Sequence, residues 1–286
     1  MEQTEPRLLL CTDLDRTLIP NGTAPEDPWA RKMFSRLSCH PQVTLVYVTG
    51  RDRHLVLDAI AHYDLPQPGY AVTDVGSTIY QITNGDWSRL EAWNLHLQKD
   101  WPNGASERIR VLVSGISGPT LQEEAKQNTF KVSYYLPLPL NAKEIMDRVG
   151  QMLQREGIAA NPIWSIDEIE GVGLLDILPA RADKRQAVRF LQQQLGYGDE
   201  EIVFAGDSGN DLQVINSDIS SILVANAAAE IKQAALEWAQ QNHQTQALYI
   251  ARGGLLAMNG NYSAGILEGI CHFQPAYKSY LMRGAA

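Results

Sequence analysis

Short, uninterrupted apolar runs recur in the first part of the chain, and each ends abruptly in polar or charged residues. These runs are Leu8–Cys11, Val43–Val48 and Tyr70–Val72. Continuous rather than alternating apolar runs are typical of strands buried on both faces of a parallel sheet. Between the second and third runs, apolar residues recur at helical spacing from Leu55 to Tyr63. The pattern therefore predicts a doubly wound α/β sheet.

The same pattern returns towards the C-terminus. Asp183 is a good helix N-cap, which makes Lys184 the first helical residue. Apolar runs at Glu201–Ala205 and Ser221–Val224 predict two further strands, and the Ala- and Gln-rich region 225–250 predicts helix. We expect this part of the chain to complete the sheet that the N-terminal runs begin.

The middle of the chain differs from both ends. Its pattern predicts a hairpin turn at residues 84–86, helices at residues 87–101 and 142–155, and strands at residues 130–135, 163–166 and 173–178. We interpret this region as an inserted α+β module. The predicted organisation is a doubly wound, Rossmann-like core in residues 1–83 and 181–286, with a cap domain in residues 84–180.

Composition narrows the classes of function. The chain has 286 residues, of which 44% are hydrophobic and 20% charged, with a net charge of −9. Such an acidic balance argues against a nucleic-acid surface, so an anionic ligand would need a local cation cluster or a metal. Three widely spaced cysteines give neither a disulfide framework nor a zinc pattern. We find no signal peptide or membrane-spanning stretch, and we expect a cytoplasmic protein.

Two aspartates, Asp13 and Asp15, follow the first predicted strand. Carboxylates this close repel each other unless a cation or a shared proton relieves them, and oxygen ligands beside phosphate favour Mg²⁺. An acidic strand exit with no further role is the alternative. Taken alone, Lys184 would be an ordinary solvated residue at a helix start.

The combination of sites is more specific than any one of them. Polar residues after strands of a parallel sheet meet at one edge, and so does a residue at a helix start. The groups that would meet there are Asp13 and Asp15, Thr49-Gly50, Lys184, and the segment Gly206-Asp207-Ser208-Gly209-Asn210-Asp211. This set suits phosphoryl transfer, with a carboxylate as nucleophile, a second carboxyl as acid and base, and cationic groups for phosphate.

The four segments resemble the motifs of the haloacid dehalogenase superfamily of Asp-nucleophile phosphatases, and the insertion corresponds to its C2-type cap. Further segments resemble the sucrose-phosphatase branch, with a C2B cap, over nearly the whole chain. They are Val48-Thr49-Gly50-Arg51, Val75-Gly76-Ser77-Thr78-Ile79-Tyr80, Lys131-Val132-Ser133-Tyr134, Asp176-Ile177-Leu178-Pro179 and Ala264-Gly265-Ile266-Leu267-Glu268.

The resemblance implies a role for each matching residue. Asp13 would be the nucleophile and Asp15 the general acid and base. Phosphate would be bound by Thr49, Gly50 and Lys184, and Mg²⁺ by Asp13, the backbone carbonyl of Asp15, Asp207 and Asp211. Two departures concern the sugar rather than the phosphoryl chemistry: Arg16 where Gly or Asn is common, and Thr78 where sucrose-specific enzymes commonly carry Glu.

Substrate contacts are expected at the edge of the core and in the cap. The candidates are Arg51, Gly76, Ser77, Lys131, Ser133 and Asn210, with Gln127 and Asn128 as further groups for sugar hydroxyls. Trp93 or Trp101 is expected to pack on a pyranose face, although tryptophans are more often part of a core. Lys131 and Ser133 could equally form the polar face of a cap strand.

The resulting hypothesis is a Mg²⁺-dependent phosphatase of a sugar phosphate, with sucrose 6-phosphate as the first expected substrate and an aspartyl-phosphate intermediate. Alternatives within the chemistry are mannosylfructose phosphate, glucosylglycerol phosphate and mannosyl-3-phosphoglycerate. Hexose-phosphate mutase activity, a non-catalytic partner of a sugar-phosphate synthase and a receiver domain are weaker alternatives. A synthase is also an expected partner of the active enzyme, whereas nucleic acid and membrane are not.

Overall fold

The structure is a computed structural model that describes residues 6–138, 140–167 and 170–283. Within these ranges, eight strands form a core sheet in the order β12-β11-β10-β1-β2-β3-β4-β5, and four form a cap sheet in the order β6-β7-β9-β8. The strands are β1 (Leu8–Thr12), β2 (Val43–Val48), β3 (Tyr70–Thr73), β4 (Thr78–Thr83), β5 (Asp86–Arg89), β6 (Thr120–Leu121), β7 (Val132–Leu136), β8 (Ala160–Asp167), β9 (Val172–Pro179), β10 (Ile202–Gly206), β11 (Ser220–Leu223) and β12 (Leu248–Ile250).

Helices cover the core sheet and one side of the cap. Those described are α1 (Ala30–Ser38), α2 (Arg53–Tyr63), α3 (Glu91–Leu97), α4 (Ala105–Val113), α5 (Ala142–Arg155), α6 (Lys184–Leu195), α7 (Leu212–Ile215), α8 (Ala229–Gln241), α9 (Ser263–Phe273) and α10 (Ala276–Met282). The strands from β12 to β3 run parallel, while β4 and β5 add an antiparallel edge. The predicted fold class, an α/β parallel-sheet core with an α+β insertion, is confirmed.

The first strand shows why a continuous apolar run is needed. Leu8 and Leu10 face one apolar layer, which contains residues of α1 and α9. Leu9 and Cys11 face the other layer, which contains residues of α6 and continues into the cap. Both faces of β1 are therefore buried, and Asp13, just beyond its end, is a buried carboxylate.

Two local predictions differ from the structure. Residues 87–101 were expected to be helical, but Trp87 belongs to β5, which pairs with β4 in the core sheet, and the helix α3 begins only at Glu91. The region 225–250 contains α8 but ends in β12, an edge strand of the core sheet. Both strands lie at a sheet edge. The residues of β5 are mostly exposed, and β12 has only three residues, so neither gives a clear strand pattern.

Candidate active site

The candidate site lies at the carboxyl ends of β10, β1 and β2, which are neighbours in the parallel sheet. Asp13 follows β1, and its backbone N–H donates to Ala205 O of β10 at 2.9 Å. Lys184 arrives from the first turn of α6, whose N-cap Asp183 accepts a hydrogen bond from Gln186 N at 2.7 Å. Groups far apart in sequence thus meet at one edge of the sheet, as expected for an α/β fold.

A buried ammonium group joins the acidic residues of the site. Lys184 Nζ lies 2.9 Å from Asp13 Oδ1, 2.7 Å from Asp211 Oδ1 and 3.0 Å from Asn210 Oδ1. Burial alone would lower the pKa of Lys184, but the charges of Asp13 and Asp211 outweigh it and hold that pKa above its ordinary value. Lys184 is therefore a permanent cation at the centre of the site.

The segment after β10 is folded around Asp211. Its Oδ2 accepts hydrogen bonds from the backbone N–H groups of Asp207 at 3.1 Å and Ser208 at 3.2 Å. Gly206 permits this approach, because a Cβ there would lie 2.7 Å from Cβ and Cγ of Asp211. The carboxylate of Asp211 thus shapes the loop that presents Asp207.

Asp207 receives two contacts from the loop after β1. Thr17 Oγ1 donates to Asp207 Oδ1 at 3.1 Å, and Arg16 Nε lies 3.4 Å from Asp207 Oδ2. Burial, followed by the charge of Asp211, nevertheless raises the pKa of Asp207 to about 6. Arg16 was expected to concern the sugar and not the phosphoryl chemistry, but its guanidinium faces an acidic residue of the cluster. Thr17 was not singled out from the sequence, although it follows the first predicted strand in the same segment as Asp13 and Asp15.

Carboxylate oxygens of Asp13, Asp207 and Asp211 all lie within 4.8 Å of one another, close enough to hold one metal ion. Burial, only partly offset by Lys184, raises the pKa of Asp13 well above its ordinary value. Three buried carboxylates thus face one buried ammonium, with Arg16 half exposed at the rim. Hard oxygen ligands with surplus negative charge fit a divalent cation.

The second aspartate of the pair occupies a different environment. Arg51 donates hydrogen bonds to both carboxylate oxygens of Asp15, from Nε to Oδ2 at 2.8 Å and from Nη2 to Oδ1 at 2.6 Å. Asn21 Nδ2 donates to Asp15 Oδ1 at 2.7 Å. Burial raises the pKa of Asp15, but the hydrogen bonds and charge of Arg51 outweigh it and hold the pKa below its ordinary value. The pKa of Asp13 is therefore raised, whereas that of Asp15 is lowered.

The turn after β2 presents the predicted phosphate-binding residues. Thr49 is buried, and its Oγ1 accepts a hydrogen bond from Arg51 N at 3.2 Å. Gly50 between them is exposed. The structure therefore places Thr49, Gly50 and Arg51 at the same sheet edge as Asp13 and Asp15, in contact with the pair through Arg51.

The turn from β3 into β4 is strained. Asp74, Val75 and Gly76 have positive φ values of 53°, 61° and 100°. A β-branched residue rarely adopts such a conformation, so the surroundings must impose it on Val75. Gly76 packs directly on the start of α6: a Cβ there would lie 2.4 Å from Asp183 C. The turn thus fixes the height at which α6 presents Lys184.

The cap contacts this turn through two polar pairs. Lys131 Nζ lies 3.1 Å from Asp74 Oδ1, and both side chains are largely buried. Asn128 Nδ2 donates to Ser77 Oγ at 3.2 Å. The structure therefore brings the predicted substrate residues Ser77 and Lys131 to one boundary between cap and core. Asp74 was not singled out from the sequence, although its position after a predicted strand was a usable signal.

The side chains of Ser133 and Gln127 form hydrogen bonds within the cap. Ser133 is fully buried and donates to Asp176 Oδ1 at 2.5 Å. Gln127 Nε2 donates to Gln122 O and Ser133 O, both at 3.0 Å. These residues brace β7 beside Lys131 rather than face open space.

The prediction of a tryptophan platform is wrong for both candidates. Trp93 is fully buried and Trp101 is 2% exposed. Their indole N–H groups donate to Gly76 O at 3.2 Å and Ala159 O at 3.1 Å. A sugar platform must expose a ring face, whereas these rings belong to the apolar layer shared by core and cap.

No helix in the part of the chain that the structure describes is long and apolar enough to cross a bilayer.

An aspartate pair after the first strand of a doubly wound sheet, reached by a lysine from a later helix beneath an inserted cap, defines a haloacid dehalogenase-like phosphohydrolase.

The model of the sucrose-6F-phosphate phosphohydrolase family matches residues 6–274. A putative HAD-like hydrolase of Nitrosococcus oceani is 46% identical over 278 residues, which is 97% of this chain and 75% of that protein. Mannosylfructose-phosphate phosphatase of Agrobacterium fabrum is 30% identical over 228 residues, 79% of this chain and 86% of that protein. The structure of a Synechocystis sucrose-phosphatase with sucrose and phosphate is 27% identical, covers 94% of this chain and 98% of its own, and gives a TM-score of 0.73.

The chain therefore belongs to the sucrose-6F-phosphate phosphohydrolase family of haloacid dehalogenase-like enzymes. It is a phosphoric monoester hydrolase, a sucrose-phosphatase-like enzyme that acts on sugar phosphates.

Proposed function

We propose that this chain is a Mg²⁺-dependent phosphatase that hydrolyses sucrose 6-phosphate to sucrose and phosphate. The observation that carries the proposal is the meeting of Asp13, Asp207, Asp211 and Lys184, within hydrogen-bond or metal-ligand range, at the end of β1. Family membership and the likeness to a sucrose-phosphatase support sucrose 6-phosphate as the substrate.

Asp13 is the proposed nucleophile. Its carboxylate attacks the phosphorus, the ester oxygen leaves with a proton from Asp15, and an aspartyl phosphate forms. Asp15 then takes a proton from water, which attacks the phosphorus, frees phosphate and restores the carboxylate of Asp13. Lys184, the hydroxyl of Thr49 and the backbone N–H of Gly50 would bind the phosphoryl oxygens.

The opposite tuning of the two aspartates supports unequal roles. Arg51 holds Asp15 as a carboxylate in the structure, which is the form that a base requires. The acid step requires a proton on Asp15, so we propose that Arg51 turns from Asp15 towards the substrate phosphate when that phosphate is bound. This exchange is consistent with the prediction of Arg51 as a substrate-binding residue.

Asp13, Asp207, the backbone carbonyl of Asp15 and Asp211 are the proposed ligands of Mg²⁺. When bound, the ion would neutralise charge between the nucleophile and the phosphoryl group. Asn210, which accepts a hydrogen bond from Lys184 at 3.0 Å, would keep the ammonium group aimed at Asp13.

The proposed sugar site is the boundary where Asn128 and Lys131 meet Ser77 and Asp74. These groups can exchange their mutual contacts for sugar hydroxyls, while Gly76 shapes the turn beneath them. We propose that Ser133 positions the strand of Lys131 instead of contacting the sugar, because its hydroxyl is bonded to Asp176. Association with a sugar-phosphate synthase, a cytoplasmic location and the two predicted domain boundaries stay predictions from the sequence.

A phosphate-release screen tests the substrate. Sucrose 6-phosphate, mannosylfructose phosphate, glucosylglycerol phosphate, mannosyl-3-phosphoglycerate, hexose phosphates and p-nitrophenyl phosphate are compared with Mg²⁺ and with EDTA. We expect the highest kcat/KM for sucrose 6-phosphate and no turnover in EDTA. A preference for the aryl phosphate would refute the sugar assignment. Phosphate release without an added sugar bisphosphate would distinguish this hydrolase from a mutase, which returns the phosphoryl group to the sugar.

The variant Asp13→Asn tests the nucleophile. It removes the attacking carboxylate while keeping the size of the side chain, so we expect a folded protein without measurable turnover. Parent-like turnover would place the nucleophile elsewhere.

A further inference from the structure

The loop after β1 folds back so that the side chain of Asn21 contacts both the Asp15 carboxylate and the backbone N–H of Arg16. Arg16 has the left-handed φ of 58°, and its backbone N–H donates to Asn21 Oδ1 at 2.8 Å. The other end of the same amide, Asn21 Nδ2, donates to Asp15 Oδ1 at 2.7 Å. A single amide therefore bonds both the peptide unit that follows Asp15 and the Asp15 carboxylate.

An amide suits this position because it offers an acceptor and donors from one planar group. The Asp15–Arg16 peptide unit is itself planar, so a bond to its N–H restricts the rotation of the backbone beside Asp15. The bond from Nδ2 restricts the rotation of the Asp15 side chain. An aspartate in the same place would keep an acceptor but lose the donor.

Packing alone does not hold Asp15 in place. The Asp15 side chain is 40% exposed, and Asn21 is exposed as well. Its other partner, Arg51, is the group that the proposed mechanism releases to the substrate. Asn21 would then still donate to the Asp15 side chain during the acid step.

We propose that Asn21 is a positioning residue for the general acid and base Asp15, an inference that rests on the proposed function. It acts through Asp15 and does not itself touch the substrate. The consequence is a defect that depends on the leaving group. An alkoxide such as a sugar oxygen must be protonated as it departs, whereas p-nitrophenolate leaves without a proton.

The experiment measures kcat/KM for sucrose 6-phosphate and for p-nitrophenyl phosphate, with Mg²⁺, in the parent, Asn21→Ala and Asn21→Asp. This ratio reports the steps up to formation of the aspartyl phosphate, where Asp15 acts only as an acid. We expect both variants to lose about tenfold or more with the sugar phosphate, since acid catalysis is worth about a hundredfold or more. The aryl phosphate should change by less than about threefold.

Asn261→Ala is the matched control. Asn261 Nδ2 donates to Pro25 O at 3.0 Å, so this variant removes an asparagine hydrogen bond to the same loop without touching Asp15. We expect its ratio of sugar to aryl kcat/KM to equal that of the parent. Thermal unfolding of all variants shows whether each is folded.

Equal losses with both substrates would overturn the proposal, because Asn21 would then only support the loop. Parent-like kinetics of Asn21→Asp would also overturn it, because the donor to Asp15 would be dispensable. A parent that releases no phosphate from either substrate would instead refute the proposed function, so the two failures are distinguishable.

Discussion

At the scale of single residues, the site is governed by where charge is left uncompensated. Lys184 neutralises part of the cluster formed by Asp13, Asp207 and Asp211. Burial raises the pKa of both Asp13 and Asp207, which means that their carboxylates lack sufficient positive charge around them. Arg51 gives Asp15 the opposite environment. A metal ion is therefore expected to change the stability of the protein as well as its activity.

The first prediction concerns pH and Mg²⁺. Because the pKa of Asp207 is raised to about 6 in the folded state, the folded protein binds this proton more tightly than the unfolded chain. Its contribution to stability therefore falls as the pH rises from about 4 to about 6. Mg²⁺ should compensate for the lost proton, by about 3 kcal/mol at a hundredfold excess over Kd.

Thermal unfolding with Mg²⁺ or EDTA, at pH 5 and pH 7.5, measures this effect. We expect the increase in Tm caused by Mg²⁺ to be larger at pH 7.5, and Asp207→Asn to remove most of it. An increase that is the same at both pH values would contradict the assignment of these carboxylates to the metal.

The second prediction concerns Gly76. Its φ of 100° and a Cβ position 2.4 Å from Asp183 C mean that Gly76→Ala must displace the start of α6. We expect a loss of about 1–3 kcal/mol in the free energy of unfolding from the strain, together with a reduced kcat. Gly150→Ala is the control, since no atom from outside the local helix backbone lies within 4 Å of its Cβ position in α5. Denaturant titration should show the control to be neutral or more stable.

At the scale of helices and strands, the ends of elements carry the chemistry. Asp183 is the N-cap of α6, the helix that presents Lys184. Asn141 is the N-cap of α5 in the cap domain, and it accepts a hydrogen bond from Glu144 N at 3.3 Å. These two N-cap residues stabilise their helices in the same way, but only Asp183 is next to a residue of the candidate active site. They therefore offer a way to separate the stability of an element from the position of a catalytic group.

The third prediction compares Asp183→Ala with Asn141→Ala. Each removes a side-chain cap, so each should cost about 1 kcal/mol in the free energy of unfolding. Only Asp183→Ala should also lower kcat for p-nitrophenyl phosphate, because Lys184 follows it directly. If the two variants lose activity equally, the position of Lys184 does not depend on the helix N-cap Asp183.

The sequence predicts elements best where both faces of an element are buried. The strands β1, β2, β3 and β10 were predicted from continuous apolar runs, and the polar residues after them were the useful signal for the site. The edge strand β5 was missed because its residues are mostly exposed. Pairings across long separations, such as Arg51 with Asp15, depend on turn geometry that no periodic pattern encodes.

At the scale of the whole molecule, cap and core share one apolar layer. This layer includes Leu9 and Phe204 of the core sheet together with Val132 and Val149 of the cap. The buried pair of Lys131 and Asp74 lies at the same boundary. We therefore expect the boundary to contribute to the stability of the protein as well as to its specificity.

The fourth prediction is a double-mutant cycle on Lys131→Met and Asp74→Asn. Each single variant leaves one buried group without its partner and should cost about 3 kcal/mol. The double variant should lose less than the sum of the two, by about 1 kcal/mol or more. The control pair, Lys143 and Asp147, is exposed on α5, and no measurable coupling is expected there. Additive losses at Lys131 and Asp74 would show that the pair is not coupled.

The packing of α3 has a consequence for chimaeric enzymes in which one relative receives the cap of another. Trp93 of α3 contacts Phe190 of α6 with a centroid distance of 4.9 Å and donates to Gly76 O. A graft joined at residue 84 would remove β5 and Trp93 from the host and uncover Phe190. A graft joined after α3 would leave both with the host, so recombination between relatives should tolerate a crossover there better than one at the predicted boundary.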